Sequence, residues 1–234
     1  MTSIILVIFL TYQAYRTWKF IDIGKGLAAK AVPFERVDKN AESSILIIGD
    51  STVVGTGASD PTQSIAGRVG EVFPESSIVN MGTNGAKTVD LIPKLRDLES
   101  RYDLIMIHIG GNDVVRFTSY EQVKDSIEEV LRLAKTKSDR VTITSTGNVG
   151  TALLLPFGSR WIFEKRTRRV RDIFMKAARD LDVTYIDLFR EKKEDPFHQN
   201  PSVYYASDLF HPSNAGYDSW FIRIGTALEE ITLK

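Results

Sequence analysis

Four short segments carry chemically useful side chains, three of them beside glycines: Gly49-Asp50-Ser51, Asn80 to Gly85, Gly110-Gly111-Asn112-Asp113 and Asp208-Leu209-Phe210-His211. A serine hydroxyl becomes a useful nucleophile once a base removes its proton. A histidine can be that base. A carboxylate can hold one imidazole nitrogen, leave the other for the serine, and stabilise the imidazolium that forms. Free backbone N–H groups and an asparagine amide can donate to the oxyanion that develops. Together these residue types form a toolkit for cleaving esters.

Each piece also has an ordinary structural explanation. Ser51 follows an apolar run and Gly49, whose turn would lift the hydroxyl to a sheet edge; a serine that merely closes a turn looks the same. Asp208 and His211 are spaced to share one face of a helical turn, or they are a solvated pair in a surface loop. The chain has three histidines. His108 lies in an apolar run and reads as a satisfied core residue, and His198 sits in a polar loop without an evident partner. His211 is therefore the best base by elimination and by its neighbour. Asn112 follows two glycines and suits either an oxyanion donor or a plain turn. The N–H of Gly82 or Gly85 is a further potential donor. Asp50 and Asp113, beside glycine turns, read as scaffolding that binds local backbone N–H groups.

The elements around these segments alternate. Ile45 to Ile48, Ser77 to Asn80, Leu104 to Ile109, Val141 to Thr144 and Val183 to Leu188 read as strands. Between and after them, helical patterns cover Thr62 to Phe73, Lys87 to Leu98, Val123 to Ala134, Trp161 to Leu181 and Trp220 to Ile231. Apolar strands separated by helices predict an α/β fold, a parallel sheet in a three-layer α/β/α sandwich. Such sheets build their sites beyond the carboxyl ends of the strands. The first three segments follow strands one, two and three, so they converge on one rim.

Bulk properties narrow the function. A chain of 234 residues, 43% hydrophobic and 26% charged, suits one globular domain. Thirty basic and thirty acidic residues leave no global electrostatic case for nucleic acid. The absence of cysteine removes disulfides, thiolate zinc sites and cysteine nucleophiles. No cofactor is expected.

Residues 1–20 predict an apolar N-terminal helix, residues 21–43 a connector, and residues 44–234 the catalytic domain. Ile4 to Leu10 is an unbroken apolar run, shorter than the roughly 20 residues that span a bilayer. Tyr12, Tyr15, Arg16, Trp18 and Lys19 follow it, which suits a membrane interface. A membrane anchor with contact through residues 4–19 and a helix docked on the domain are both consistent with this. Were it to span, Arg16, Lys19 and Lys25 would favour a cytoplasmic domain; the chain is otherwise expected to be cytoplasmic.

In order and type, the four segments resemble the SGNH hydrolases, the GDSL-type esterases and lipases. Gly49-Asp50-Ser51 resembles the family's first block, Asn80 to Gly85 its second, Gly110 to Asp113 its third, and Asp208 to His211 its fifth. The likeness runs from residue 44 to 231. It implies a flavodoxin-like, five-stranded parallel sheet. It also implies Ser51 as nucleophile, His211 as base and Asp208 as its orienter, with Ser51 N–H, Gly85 N–H and the Asn112 side chain as the oxyanion hole. Gly85 rather than Gly82 corresponds to the family glycine by its distance from Asn80. Thr52 replaces the family's leucine, whose side chain has no chemical role.

The expected activity is hydrolysis of carboxylic esters or thioesters of small molecules or lipids, without a metal. Leu153 to Phe157 follows the fourth strand and reads either as an acyl-binding wall, through Leu154 and Phe157, or as a packed loop. Arg160, Lys165, Arg166, Arg168, Arg169 and Arg171 read as a solvated helix face or as a contact for anionic headgroups. Two other functions fit the residues less fully. A two-metal phosphoesterase would need more His and Asp ligands than the three histidines supply. A non-catalytic, membrane-attached binding domain would not need the full set of reactive residue types.

Overall fold

Ile45 to Ile48 lie in an interior strand of the sheet, and their apolar character on both faces reflects cover from both sides. The computed structural model describes residues 2–231; the expected domain ends at residues 1 and 232–234 lie outside the described residues. Strands β1 (Ser43–Gly49), β2 (Ser76–Gly82), β3 (Leu104–His108), β4 (Val141–Thr144) and β5 (Thr184–Ile186) are parallel, in the order β2-β1-β3-β4-β5. Gly49 pairs with Gly82 on one side and His108 on the other, so three strand ends lie level.

The helices are α1 (Thr2–Lys30), α2 (Ser51–Val54), α3 (Ile65–Val72), α4 (Leu91–Arg96), α5 (Gly111–Val115), α6 (Tyr120–Lys137), α7 (Arg160–Asp180), α8 (Pro196–Gln199), α9 (Pro201–Tyr204) and α10 (Asn214–Glu229). Side chains alternate across the sheet. Leu46, Ile48, Ile105, Ile107 and Ile143 face α6 and α7, where Val123, Ile127, Val170 and Phe174 meet them. Ile45, Ile47, Ile78, Leu104 and Met106 face α3 and α10, through Ile65, Val69, Tyr217 and Ile224. The three-layer α/β/α architecture is thus as the sequence predicts.

Two local readings change. Helix α1 continues through Gly24 and Gly26 to Lys30, so the first part of the expected connector at residues 21–43 is helical. The remainder is a strap on the edge of β2. Arg36 exchanges backbone hydrogen bonds with Ile78 at 3.0 and 2.6 Å. Its guanidinium donates to the Ser76 and Gly70 carbonyls at 3.0 and 3.2 Å, and also to Phe73 O. This covers an edge that would otherwise present open hydrogen-bonding groups.

The basic run of α7 divides. The Arg166 guanidinium donates to the carbonyls of Val114, Asp113 and Thr118 and stacks on Phe117 and Tyr120. Arg168 pairs with Glu164 and Glu191, and Arg171 with Asp187. Half of the run is therefore internal strutting rather than a surface for headgroups. Arg160, Lys165 and Arg169 have no carboxylate partner among the described residues.

Gly49 ends β1 where the chain turns against β3. A Cβ there would lie 1.9 Å from the His108 carbonyl oxygen and 2.7 Å from Val53. Both strands would have to part to admit it. Gly49→Ala should therefore destabilise the protein by about 3 kcal/mol, measured as a lower urea midpoint, whereas an unchanged midpoint would mean that the strands separate freely.

Candidate active site

Asp50 caps the short helix that carries Ser51. Its Oδ1 accepts from the Thr52 N–H at 2.9 Å and from the Thr52 hydroxyl at 2.7 Å, while its carbonyl accepts from Val53 and Val54. Asp50 N–H in turn donates to His108 O at 3.2 Å, tying the cap to β3. Ser51 thus opens a helix directly beyond the carboxyl end of β1, an interior strand, and it is 7% exposed. Burial raises the Asp50 pKa, Thr52 opposes the shift, and the nearby Asp113 adds to it. Asp113 has a scaffolding part of its own: its Oδ2 accepts from Thr88 N–H and Thr88 Oγ1 at 2.9 and 2.7 Å, joining the loops after β2 and β3.

Asp208 and His211 meet in a tight loop rather than a helical turn, because Leu209 adopts a left-handed conformation with φ of 57°. Asp208 Oδ1 accepts from the N–H groups of Phe210 and His211 at 3.1 and 3.0 Å. Its Oδ2 lies 2.5 Å from His211 Nδ1. His211 Nε2 lies 3.0 Å from Ser51 Oγ. With the Nδ1 proton held by the carboxylate, Nε2 is left to accept from the serine hydroxyl. The carboxylate is only 1% exposed.

Three donors border the same space. Neither Ser51 N–H nor Gly85 N–H is donated to another group among the described residues. Asn112 Nδ2 gives one proton to Ala86 O at 3.0 Å and keeps a second. Ser51, Gly85, Asn112 and His211 all line one cleft of about 520 Å³. Arg116, which nothing in the sequence marks, also lines it, and its guanidinium lies against Gly85. Gly82 does not line the cleft; it packs tightly against Val53 and Val54.

The opposite wall is α1. Phe20, Ile21, Gly24 and Ala28 face Leu154, Pro156, Phe163 and Phe210 across the cleft. A Cβ on Gly24 would lie 2.9 Å from Asp208 Oδ2, so the helix rests directly on the carboxylate. Asn84 Nδ2 donates to Ala28 O at 3.3 Å, and Thr17 Oγ1 donates to Leu154 O at 3.5 Å. Leu154 lines the cleft. Phe157 does not: it is 73% exposed, and its N–H donates to Gln13 of α1 at 3.2 Å. The turn at Pro156 to Ser159 carries it out of the wall.

Behind Ser51 lies a smaller chamber of about 60 Å³, reached by His108, Asp195, Arg190 and Trp220. It is on the scale of a few water molecules. His108 is buried and stacked on Trp220 at 5.5 Å, and burial pushes its pKa down to about 3. It is a core histidine, yet its Nδ1 has no partner among the described residues, so it is not the satisfied one expected. His198 is exposed on α8. Burial raises Asp195 to about 6, against partial compensation from the Phe197 N–H that it caps.

Two measurable outcomes follow, one from the Asp195 shift and one from the placement of Asn112. Between the ordinary 3.8 and about 6, the folded state holds a proton on Asp195 that the unfolded chain releases. Its contribution to stability is complete below the unfolded value and declines as pH rises through about 6. Asp195→Asn should flatten the fall of Tm between roughly pH 4 and 6, and an unaltered Tm profile would refute the assignment. Asn112→Ala should lower kcat by about 100-fold with KM little changed; a change confined to KM would remove Asn112 from the oxyanion site.

The sequence profile of the GDSL-like lipase/acylhydrolase family matches residues 47–218. No curated protein sequence matches the chain. Among solved structures, a lipolytic protein of the G-D-S-L family from Veillonella parvula is similar at 17% identity and a TM-score of 0.66, covering 80% of this chain and 99% of its own. A mutant of Axe2, an acetyl-xylooligosaccharide esterase from Geobacillus Stearmophilus, is similar at 16% identity and a TM-score of 0.60, covering 86% and 99%. TesA is similar at 18% identity and a TM-score of 0.60, covering 80% and 98%.

Proposed function

The chain belongs to the GDSL-like lipase/acylhydrolase family, and from that premise we propose that it cleaves carboxylic esters or thioesters through Ser51, His211 and Asp208. The observation that carries this reading is the continuous hydrogen-bonded chain Asp208–His211–Ser51, at 2.5 and 3.0 Å. His211 Nε2 takes the hydroxyl proton as Ser51 Oγ bonds to the ester carbonyl carbon. The carbonyl oxygen becomes an oxyanion facing Ser51 N–H, Gly85 N–H and Asn112 Nδ2. Collapse expels the alcohol or thiol, which receives the proton from His211, and leaves an acyl-serine. Water, deprotonated by the same imidazole, attacks the acyl carbon and restores Ser51.

The cleft favours an acyl or aryl group over a highly polar one, because Phe20, Ile21, Leu154, Phe163 and Phe210 line it. The acetyl-xylooligosaccharide esterase among the similar structures makes carbohydrate acetate a substrate class to include. The phosphoesterase alternative lacks a donor set: among the described residues no three His, Asp or Glu side chains converge to hold a metal ion.

A p-nitrophenyl ester series from acetate to palmitate tests this reading. Wild-type protein should hydrolyse it with or without a chelator, with a preference for esters longer than acetate. Ser51→Ala should lose roughly 10⁴-fold or more in kcat while keeping its fold. Equal activity in Ser51→Ala, or activity abolished by chelator, would contradict it.

A further inference from the structure

The outer half of α1 stands free of the domain. Ile4 to Leu10 are each between 42% and 66% exposed, and the exposed run extends from residue 3 to residue 12. Seven consecutive helical residues point in every direction around the axis. A helix that docks in a protein groove buries one apolar stripe and keeps a polar face. This segment has no polar face, so its exposure suits a medium that is apolar all round. The run rises about 10 Å, which enters one leaflet but falls short of a hydrocarbon core about 30 Å thick. No helix among the described residues is long and apolar enough to cross a membrane.

The next turns carry groups suited to an interface. Tyr12, Tyr15 and Trp18 are 58%, 58% and 63% exposed. On the body beside them, Phe157, held by Gln13, and Trp161 at 62% are also exposed. Arg16 and Arg160 lie close enough for their charges to repel. Arg16, which also donates to Leu153 O and lies over Phe20, has no carboxylate partner among the described residues, nor do Lys19 and Arg160, unlike Arg168 and Arg171. An anionic lipid surface complements such a cluster.

The same helix then descends into the cleft, where Phe20, Ile21 and Ala28 form its wall and Gly24 seats on Asp208. The cleft that holds Ser51 is thus walled by the inner half of the helix whose outer half is apolar and exposed. We propose that α1 is a membrane-docking helix whose outer half enters one leaflet of an anionic bilayer and whose inner half walls the cleft, so that acyl esters reach Ser51 from the bilayer surface. This proposal rests on the serine esterase reading for its substrate and on α1 alone for its docking.

The test uses the full chain, Ser51→Ala, and a Leu6→Glu/Ile8→Glu double variant. Each is sedimented with vesicles of phosphatidylcholine, with and without phosphatidylglycerol. Each is also assayed on a soluble short-chain ester and on a long-chain ester embedded in the vesicles. Wild type and Ser51→Ala should bind alike, and more tightly when phosphatidylglycerol is present. The double variant should bind about tenfold more weakly. It should hydrolyse the soluble ester within about twofold of wild type, which also reports its fold, and lose about tenfold on the embedded ester. Absence of wild-type binding, or equal binding by the double variant, would overturn the docking. So would a dimer formed through α1 that the double variant abolishes while vesicles are ignored. Embedded-ester hydrolysis that survives lost binding would overturn delivery through the bilayer. Normal binding with no ester hydrolysed would refute the esterase reading and the delivery step while supporting the docking.

Discussion

A nearly inaccessible carboxylate organises the chemistry of this molecule. Asp208 would be costly to bury as a bare anion. Its two oxygens instead meet the N–H groups of Phe210 and His211 and the imidazole Nδ1. These charge-assisted bonds offset the lost hydration and at the same time fix the loop, the ring orientation and the tautomer. The bend at Leu209 makes this possible, since it brings both backbone N–H groups to one oxygen. Helix α1 closes the remaining side through Gly24. The element that covers the carboxylate is therefore also the element that walls the cleft.

The sheet supplies the other half of the arrangement. Strand ends at Gly49, Gly82 and His108 lie level, so the loops that follow β1, β2 and β3 share one rim. Helices packed on both faces hold those ends rigid, and small tethers refine them. Asp50 caps the turn that presents Ser51, and Asp113 binds Thr88 across to the neighbouring loop. Such buried carboxylates do not touch the reacting atoms. They bind the Thr52 and Thr88 N–H groups and so fix the loops that carry Ser51, Gly85 and Asn112; under the proposed esterase reading, donors fixed in this way would meet the oxyanion without reorganising.

Much of this was legible from residues alone. Alternating apolar strands and helices dictated the layers; Ser51 and Asn112 stood out beside glycines after strands, and Asp208 and His211 by their spacing and the scarcity of histidine. What was not legible depended on contacts between distant residues. Gly24 and Gly26 weaken a helix, so their segment read as a connector; the structure shows Gly24 as a close packing point against a residue far along the chain. Arg166, Arg168 and Arg171 looked like a basic surface because their acceptors, from Asp113 to Thr118, Asp187 and Glu191, lie elsewhere in sequence. Arg116 caps the same short helix that carries Asn112, but its type matched no role in that segment, and only the fold shows its guanidinium at the cleft. Phe157 left the wall because of a turn that the apolar run before it did not announce.

The central claim is that Ser51 is activated by His211, which Asp208 holds in place. Labelling with a fluorophosphonate, followed by peptide mass spectrometry, tests it most directly, because the probe bonds to an activated serine regardless of the natural substrate. The account predicts one adduct, on Ser51, formed much more slowly in Asp208→Asn and absent in His211→Ala. An adduct on a different residue, or Ser51 labelling at an undiminished rate in folded His211→Ala, would contradict it.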